Sequence, residues 1–288
     1  MFINWLMLLA VVLGLIVQSV SQKNYSNKTS GGAFTFSAAS ALCVGLFFLI
    51  ASGFSLEFNI GVSVYSLFFA LAYAAGVVGH FLAIKTGPLS LTTLISSLSL
   101  LIPTLYCLTV LKEPVKLSLI IGLVLLLIAL VMINLKHGGE EKKINVKWVI
   151  FVLIGFIGNG CCSLVQKMQV QEYGTQYMHE FMIVALLTVF LTIGTIACFT
   201  ERKEIKNGLR GWKWFVLCGV FNALCNLFVM ILSKPESGMN SSVMFPAISG
   251  GEMILTFIIS RYVYKEKLTR TQNIGFLFGV LSIIALNL

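Results

Sequence analysis

Charged residues are scarce in this chain, and aspartate is missing altogether. Only 11% of its 288 residues are charged, whereas about a quarter are charged in a typical soluble domain. All eleven acidic residues are glutamates, and there are only three histidines. Intramembrane enzymes usually need paired acids, a metal set or a His–Asp pair. The composition therefore disfavours an enzyme, and the absence of a Walker motif disfavours direct use of ATP.

Cysteine patterns that bind metals are missing too. The seven cysteines all fall in apolar segments, none forms a C-x-x-C pair, and no histidine stands at zinc-ligand spacing. We interpret them as packing residues and expect no metal and no cofactor. The net charge of +9 would suggest a nucleic-acid partner for a soluble protein. Because the basic residues here lie mostly in predicted loops, we expect no nucleic acid.

Long uncharged runs dominate what is present. The chain is 58% hydrophobic, with a mean hydropathy of +0.94. Several runs are about 18–22 residues long, enough to cross roughly 30 Å of hydrocarbon as a helix. We therefore predict an all-α integral membrane protein without a soluble domain. The first run is interpreted as a retained span, because no basic residue precedes it and no A-x-A site follows it. The ten predicted transmembrane helices are 2–21, 32–52, 61–84, 89–110, 117–135, 148–169, 177–199, 213–233, 240–260 and 270–288.

The two halves of the chain resemble each other. With a shift of 153 residues, Lys112 aligns with Lys265 and Glu113 with Glu266, each pair following a predicted span. An internal repeat at this scale indicates that one helical unit occurs twice. We interpret Glu113 and Glu266 as residues that anchor their turns.

The repeat predicts two units, 1–138 and 139–288, joined at the charged run 136–147. Each unit contains five predicted helices. Because five is an odd number, the two units must insert into the membrane in opposite orientations. Secondary transporters are commonly built from such inverted repeats, with the substrate site near the midplane between them.

The turns after the fourth and ninth predicted spans read K-E-P and K-E-K-L, and each is followed by a span that contains a glycine. With ten spans in a 5+5 arrangement, the chain resembles the drug/metabolite transporter superfamily and, more narrowly, its EamA-type members. The resemblance implies a proton-linked or exchange-type carrier of a small polar or amphipathic metabolite in the plasma membrane. It favours export slightly, over uptake or exchange of a nutrient such as an amino acid, nucleoside or vitamin. A monomer or a homodimer fits it equally well.

Lysine and arginine are distributed unevenly between the two predicted sides of the membrane. Sixteen lie on the side of the loop after the first span and four on the other side. The positive-inside rule then places both termini outside. Many members of the resembled superfamily have both termini inside, so the count and the resemblance disagree. We follow the count.

One carboxyl lies in the middle of a predicted span. Glu252 belongs to the ninth, and a charge at the centre of a span costs about 2.5–3.5 kcal/mol on insertion scales. Such a carboxyl either bonds a neighbouring helix or faces a cavity, where it can hold a proton or a cationic substrate. In the ninth span, Pro246 is expected to kink the helix, Gly250 and Gly251 to serve as a hinge or a close packing site, and Ser249 to share the face of Glu252. The matching face of the fourth span holds Ser96, Ser99 and the hinge or packing residue Pro103, with Ser99 at the position that aligns with Glu252.

Several other polar side chains fall inside predicted spans. Each either lines a cavity or bonds one helix to another, and the sequence leaves both alternatives open. His80 is the only histidine among them, and imidazole titrates near neutral pH. Lys167 is expected to extend its ammonium to the membrane surface. The remaining candidates are Gln18, Gln22, Tyr73, Asn159, Gln166, Asn222 and Asn226.

The sequence thus favours a secondary carrier with Glu252 as its coupling group. A channel more often shows rings of residues built by oligomer symmetry, and an internal repeat makes such rings less necessary. Saturable flux that is stimulated by counter-substrate would separate a carrier from a channel. An intramembrane enzyme is the remotest alternative.

Overall fold

The computed structural model describes residues 2–29, 31–86, 92, 95–96, 98–134, 145–262 and 269–286. Within these residues all regular secondary structure is helical, and a 3₁₀ turn at Leu98–Leu100 leads into the fourth helix. The helices are α1 (Phe2–Lys28), α2 (Ala33–Ala51), α3 (Ile60–Thr86), α4 (Leu101–Thr109), α5 (Leu117–Asn134), α6 (Val146–Tyr173), α7 (Met178–Thr200), α8 (Ile205–Leu209), α9 (Trp212–Leu232), α10 (Ser241–Tyr262) and α11 (Arg270–Leu286).

Seven of the described helices are long and apolar enough to cross a membrane: α1, α2, α3, α6, α7, α9 and α10. Three shorter apolar helices, Leu98–Thr109, Leu117–Ile133 and Arg270–Leu286, lie where the fourth, fifth and tenth spans were predicted. These helices support a multi-pass membrane protein, while the count of ten spans stays a prediction. The joint at 136–144, the K-E-K-L turn with Glu266, and parts of the fourth predicted span lie outside the described residues.

Two spans are longer than the hydropathy pattern predicted. α1 continues to Lys28 instead of ending near residue 21, and α6 continues to Tyr173 instead of residue 169. A helix satisfies its backbone hydrogen bonds internally, so it can extend beyond the apolar run into the polar boundary. At the end of α1 the Thr29 hydroxyl donates to the Tyr25 carbonyl oxygen at 2.6 Å, which closes the last turn.

The helices pack in pairs that are distant in sequence. α1 packs against α9, α2 against α7, α3 against α6, α4 against α10, and α5 against α11. Glycines permit the closest of these approaches. A Cβ added to Gly79 would lie 2.5 Å from the Gly155 backbone nitrogen, and one added to Gly76 would lie 2.7 Å from the Asn159 side-chain oxygen. Small residues at such crossings let two membrane helices approach until their backbones touch.

The largest apolar core lies between α2, α3 and α7. Four of its side chains are each at most 1% exposed: Phe48 on α2, and Phe181, Met182 and Leu186 on α7. Because one side of the bundle is filled in this way, the polar side chains of α1, α6, α9 and α10 are left to face one another.

Two glutamates outside the spans bind the first turns of distant helices. The Glu113 carboxylate accepts hydrogen bonds from the backbone nitrogens of Ser241 at 3.2 Å and Ser242 at 2.8 Å, at the start of α10. An anion at this position pairs with the unsatisfied N–H groups and the positive end of the helix dipole. Glu113 therefore anchors its turn, as the sequence indicated, and it does so on the helix that carries Glu252.

The second such carboxylate is Glu201, which follows α7. It accepts from the backbone nitrogens of Phe34 at 3.0 Å and Thr35 at 2.8 Å, at the start of α2, and from the Thr35 hydroxyl at 2.9 Å. Sequence reasoning did not single out this contact, because Phe34 and Thr35 lie 167 and 166 residues before Glu201 in the chain.

Candidate functional site

A cavity of about 930 Å³ lies between the helices of the bundle. Its walls come mainly from α1, α6, α9 and α10, and α3, α5, α7, α11 and the residues before α4 complete them. Binding pockets for small molecules typically enclose about 300–1,000 Å³. The cavity is therefore large enough for a metabolite or a drug-sized molecule.

The cavity is open at one end of the bundle and closed at the other. At the open end, which we call the Lys23 end, Lys23 on α1 and Thr256 on α10 line it and are exposed. At its deep end, Val11 and Phe245 line it with only 1% and 2% exposure. We call this closed side the Ser233 end, after the residue that follows α9. A molecule therefore enters from the Lys23 end.

Glu252 lies in the wall of this cavity, on α10. Among the described residues none donates a hydrogen bond to its carboxyl, so the helix-bonding alternative finds no partner there. The Cys225 thiol on α9, which also lines the cavity, lies within electrostatic range of this carboxyl. The carboxyl is thus available to a proton or to a ligand with a hydrogen-bond donor.

The two glycines before Glu252 bring α10 close to its neighbours. A Cβ on Gly251 would lie 2.9 Å from a methyl group of Val12 on α1. A Cβ on Gly250 would meet Ile283 at 3.2 Å and Leu126 at 3.3 Å. These residues therefore pack α10 against α1, α5 and α11, and this packing sets the depth of Glu252 in the cavity.

Four side-chain amides form a chain along one wall. The Gln166 amide donates to the Asn226 side-chain oxygen at 3.2 Å, and the Asn226 amide donates to the Asn222 side-chain oxygen at 2.7 Å. The Asn222 amide then donates to the Gln18 side-chain oxygen at 2.8 Å. Helices α6, α9 and α1 are joined in this way. The sequence left open whether these side chains line a cavity or bond one helix to another. Three of the four, Gln18, Asn222 and Asn226, do both.

The chain of amides ends at the thiol beside Glu252. The Gln18 amide donates to the Cys225 sulfur at 3.4 Å, and that thiol donates in turn to the Val11 carbonyl oxygen at 3.3 Å. Hydrogen-bonded polar chains of this kind hold their members in place and reinforce one another. The polar wall is therefore ordered before any ligand arrives.

His80 lies one layer behind the cavity wall. Its Nδ1 is 2.8 Å from the Ser96 hydroxyl oxygen, and Ser96 lines the cavity while His80 does not. Imidazole in this position orients the hydroxyl that a ligand meets. Tyr73, on the same helix as His80, does line the cavity, with its ring stacked on Phe69 at a centroid distance of 6.2 Å.

The structure brings together most of the polar candidates that the sequence singled out. Gln166 and His80 lie behind the wall, hydrogen-bonded to residues in it, and Gln22 is exposed and does not line the cavity. Pro103 is buried in the first turn of α4, where a missing N–H costs little, and α10 continues as a helix through Pro246. The candidates in the cavity wall are Gln18, Tyr73, Ser96, Ser99, Asn159, Asn222, Asn226, Ser249 and Glu252.

Sequence reasoning missed other polar residues of the wall. Lys23 was counted as a loop residue, yet it lines the mouth of the cavity one turn beyond Ser19, which also lines it. Ser163 and Gln272 line it as well. The available signal was helical spacing, which places Gln18 and Gln22 on one stripe of α1 and Ser19 and Lys23 on the neighbouring stripe. This spacing does not say which of the two stripes faces the cavity.

Comparison with known proteins agrees with this architecture. Residues 146–288 match the model of the EamA-like transporter family. An uncharacterized protein of Haemophilus influenzae is 24% identical over 193 residues, or 66% of this chain, and the chain spans 63% of that relative's length. A protein of known crystal structure is similar in fold, with a TM-score of 0.76 at 14% identity, over 98% of this chain and 95% of that one.

Proposed function

Because residues 146–288 make this chain a member of the EamA-like transporter family, within the drug/metabolite transporter superfamily, we propose that it is a secondary active permease. It moves a small metabolite or drug-like molecule across the cytoplasmic membrane. Its mechanism is proton-linked alternating access, in which the cavity opens to one side of the membrane at a time.

The pairing of helices supports the inverted repeat that this mechanism uses. If the repeats map α1 onto α6 and α3 onto α9, then the α1–α9 and α3–α6 contacts are one contact that occurs twice. The pairs α2–α7, α4–α10 and α5–α11 each join a helix to its own counterpart. Two similar units related in this way can rock against each other around a central site.

The observation that carries the proposal is the Glu252 carboxyl in the wall of the cavity, without a hydrogen-bond donor among the described residues. Such a carboxyl holds either a proton or a cationic or donor-rich part of the substrate. Because it cannot hold both at once, the movement of substrate in one direction is linked to the movement of protons in the other. The amide chain beside it supplies donors and acceptors that orient the substrate.

Export is the direction that we favour. The cavity opens at the Lys23 end, and the loops at this end belong to the side that carries sixteen of the twenty lysines and arginines. On the positive-inside rule this side faces the cytoplasm. An exporter loads its substrate from that side.

The test is a thermal-shift screen of the purified protein with amino acids, nucleosides, tetraphenylphosphonium and ethidium. A ligand at about 100 times its Kd stabilises the protein by about 2.7 kcal/mol. We expect this stabilisation to disappear in Glu252→Gln. It should persist in Glu236→Gln, because Glu236 is exposed in the turn after α9 and does not line the cavity. Equal stabilisation of the wild type and Glu252→Gln by every ligand that binds would contradict the assignment.

A further inference from the structure

The closed Ser233 end contains a buried lysine. Lys167 on α6 is 3% exposed, so it does not extend to the surface, and that expectation from the sequence is wrong. The reason is that its ammonium has a partner inside the protein: it donates to the Ser233 carbonyl oxygen at 2.8 Å. A buried charge is tolerated only where such partners exist.

The Lys167 ammonium also lies within electrostatic range of the Glu113 carboxylate. That carboxylate binds the first turn of α10 through the backbone nitrogens of Ser241 and Ser242. The Glu113 carboxylate therefore binds the N-terminal end of α10, where the helix dipole is positive, and the Lys167 ammonium lies within its electrostatic range without a direct hydrogen bond to it. Neither Lys167 nor Glu113 lines the cavity, so the substrate site does not account for them.

These contacts join the two predicted repeats at the end where the cavity is closed. Glu113 belongs to the first repeat, and Lys167 and α10 belong to the second. A third contact crosses the same boundary, because the Asn4 amide on α1 donates to the Ser237 carbonyl oxygen at 2.5 Å. To open this end, the start of α10 must separate from Glu113.

Three buried hydroxyl groups at the Ser233 end have no hydrogen-bond partner among the described residues. They are the side chains of Ser233, Ser241 and Ser242, which are each at most 1% exposed. Unpaired buried polar groups destabilise a closed packing, and water that enters on opening would satisfy them. The hydroxyls thus favour an open Ser233 end, and the charged contacts oppose it.

We propose that Glu113 and Lys167 form a latch that holds the Ser233 end closed while the Lys23 end is open. This inference rests on the proposed alternating access. The latch acts on the helix that carries the coupling carboxyl: Ser242 and Glu252 are ten residues apart on α10, about 15 Å along its axis. Release of the latch shifts the protein toward the state that is open at the Ser233 end.

The native cysteines of the cavity report which end is open. Cys162 and Cys225 line it, and a membrane-impermeant maleimide reaches them only through an open end. Labelling is measured in right-side-out and in inside-out membrane vesicles, and peptide mass spectrometry separates these two thiols from the other five. For the wild type we expect labelling predominantly from the Lys23 end.

In Lys167→Met and in Glu113→Gln we expect labelling from the Ser233 end to rise about tenfold, because each variant removes the electrostatic attraction between the ammonium and the carboxylate that caps α10. The double variant should exceed either single variant by little, because the two residues act as one unit. Lys234→Met is the matched control, since this lysine lies at the same end and, among the described residues, has no contact with Glu113. It should label like the wild type.

Unchanged labelling from the Ser233 end in both variants would overturn the latch. Labelling from the Lys23 end and a cooperative thermal transition establish that a variant is folded. If Lys167→Met loses that transition, Glu113→Gln decides, because its amide oxygen can still cap α10. The assay needs neither substrate nor a proton gradient, so a Glu252→Gln variant that transports normally would refute the proposed function and leave this result standing.

Discussion

The Asn222 side chain on α9 donates a hydrogen bond to the Gln18 side-chain oxygen on α1, 2.8 Å away across 204 residues of sequence. This bond joins two helices of different predicted repeats in the wall of the cavity. It also links the amides of α6 and α9 to the Cys225 thiol near Glu252. The polar wall of the cavity is therefore a connected structure.

Loss of this bond should lower the stability of the protein. In Gln18→Ala the amide of Asn222 is left without its acceptor, and we expect a loss of roughly 1–3 kcal/mol in the free energy of unfolding. Thermal unfolding in detergent measures the change. Gln22→Ala is the matched control on the same helix, because Gln22 is exposed and does not line the cavity. Equal destabilisation by both substitutions would contradict the role of the amide chain.

Replacement of the Glu252 carboxyl should uncouple transport from protons. We expect Glu252→Gln to abolish substrate-driven proton movement in proteoliposomes, because a side-chain amide neither gains nor loses a proton at the pH of such an assay. Its volume is nearly the same, so the thermal transition should stay close to that of the wild type. Glu252→Asp keeps a carboxyl and should retain coupling at a lower rate. Full proton coupling in the glutamine variant would refute the assignment.

A side chain at the α3–α6 crossing should be poorly tolerated. The Cβ of Gly79→Ala would lie 2.5 Å from the Gly155 backbone nitrogen, so the helices must move apart. Overpacking of this kind destabilises proteins by about 1–3 kcal/mol. Gly45→Ala is the control, since its Cβ would meet only ordinary contacts at 3.7 Å and longer. Differential scanning calorimetry of the purified variants compares their melting temperatures. If Gly79→Ala were as stable as Gly45→Ala, α3 and α6 would be able to accommodate the added methyl group without loss of stability.

The carboxylate that caps α2 should contribute to stability. Glu201→Ala removes three hydrogen bonds at the first turn of α2, and helix caps contribute about 0.5–2 kcal/mol. Glu204→Ala is the neighbouring control, because Glu204 is exposed. We expect a lower melting temperature for Glu201→Ala alone. Identical melting temperatures for the two variants would mean that the cap has no net effect.

The membrane class, the approximate positions of the apolar helices and most of the cavity's polar residues could be predicted from the sequence. Each of these depends on local properties: the length of an uncharged run against the thickness of the hydrocarbon, and the high cost of a polar side chain inside it. Glu252 illustrates this. An isolated carboxyl in an apolar span indicates a polar partner or a cavity, whichever helices its own helix packs against.

Other features depend on which helices are neighbours. The sequence placed Lys23 in a loop and Lys167 at the surface, whereas the first lines the cavity mouth and the second is buried against Ser233. His80 and Ser96 were separate candidates until their side chains met at 2.8 Å.

The sequence by itself determined that the chain crosses the membrane repeatedly and that Glu252 lies within an apolar helix, because hydrophobic length and charge are properties of single segments. Only the tertiary structure decided which polar side chains face the cavity, which ones support them from behind, and which end is closed. The physical reason is that helical periodicity defines the faces of each helix, whereas its rotation and its neighbours are set by packing between residues far apart in the chain.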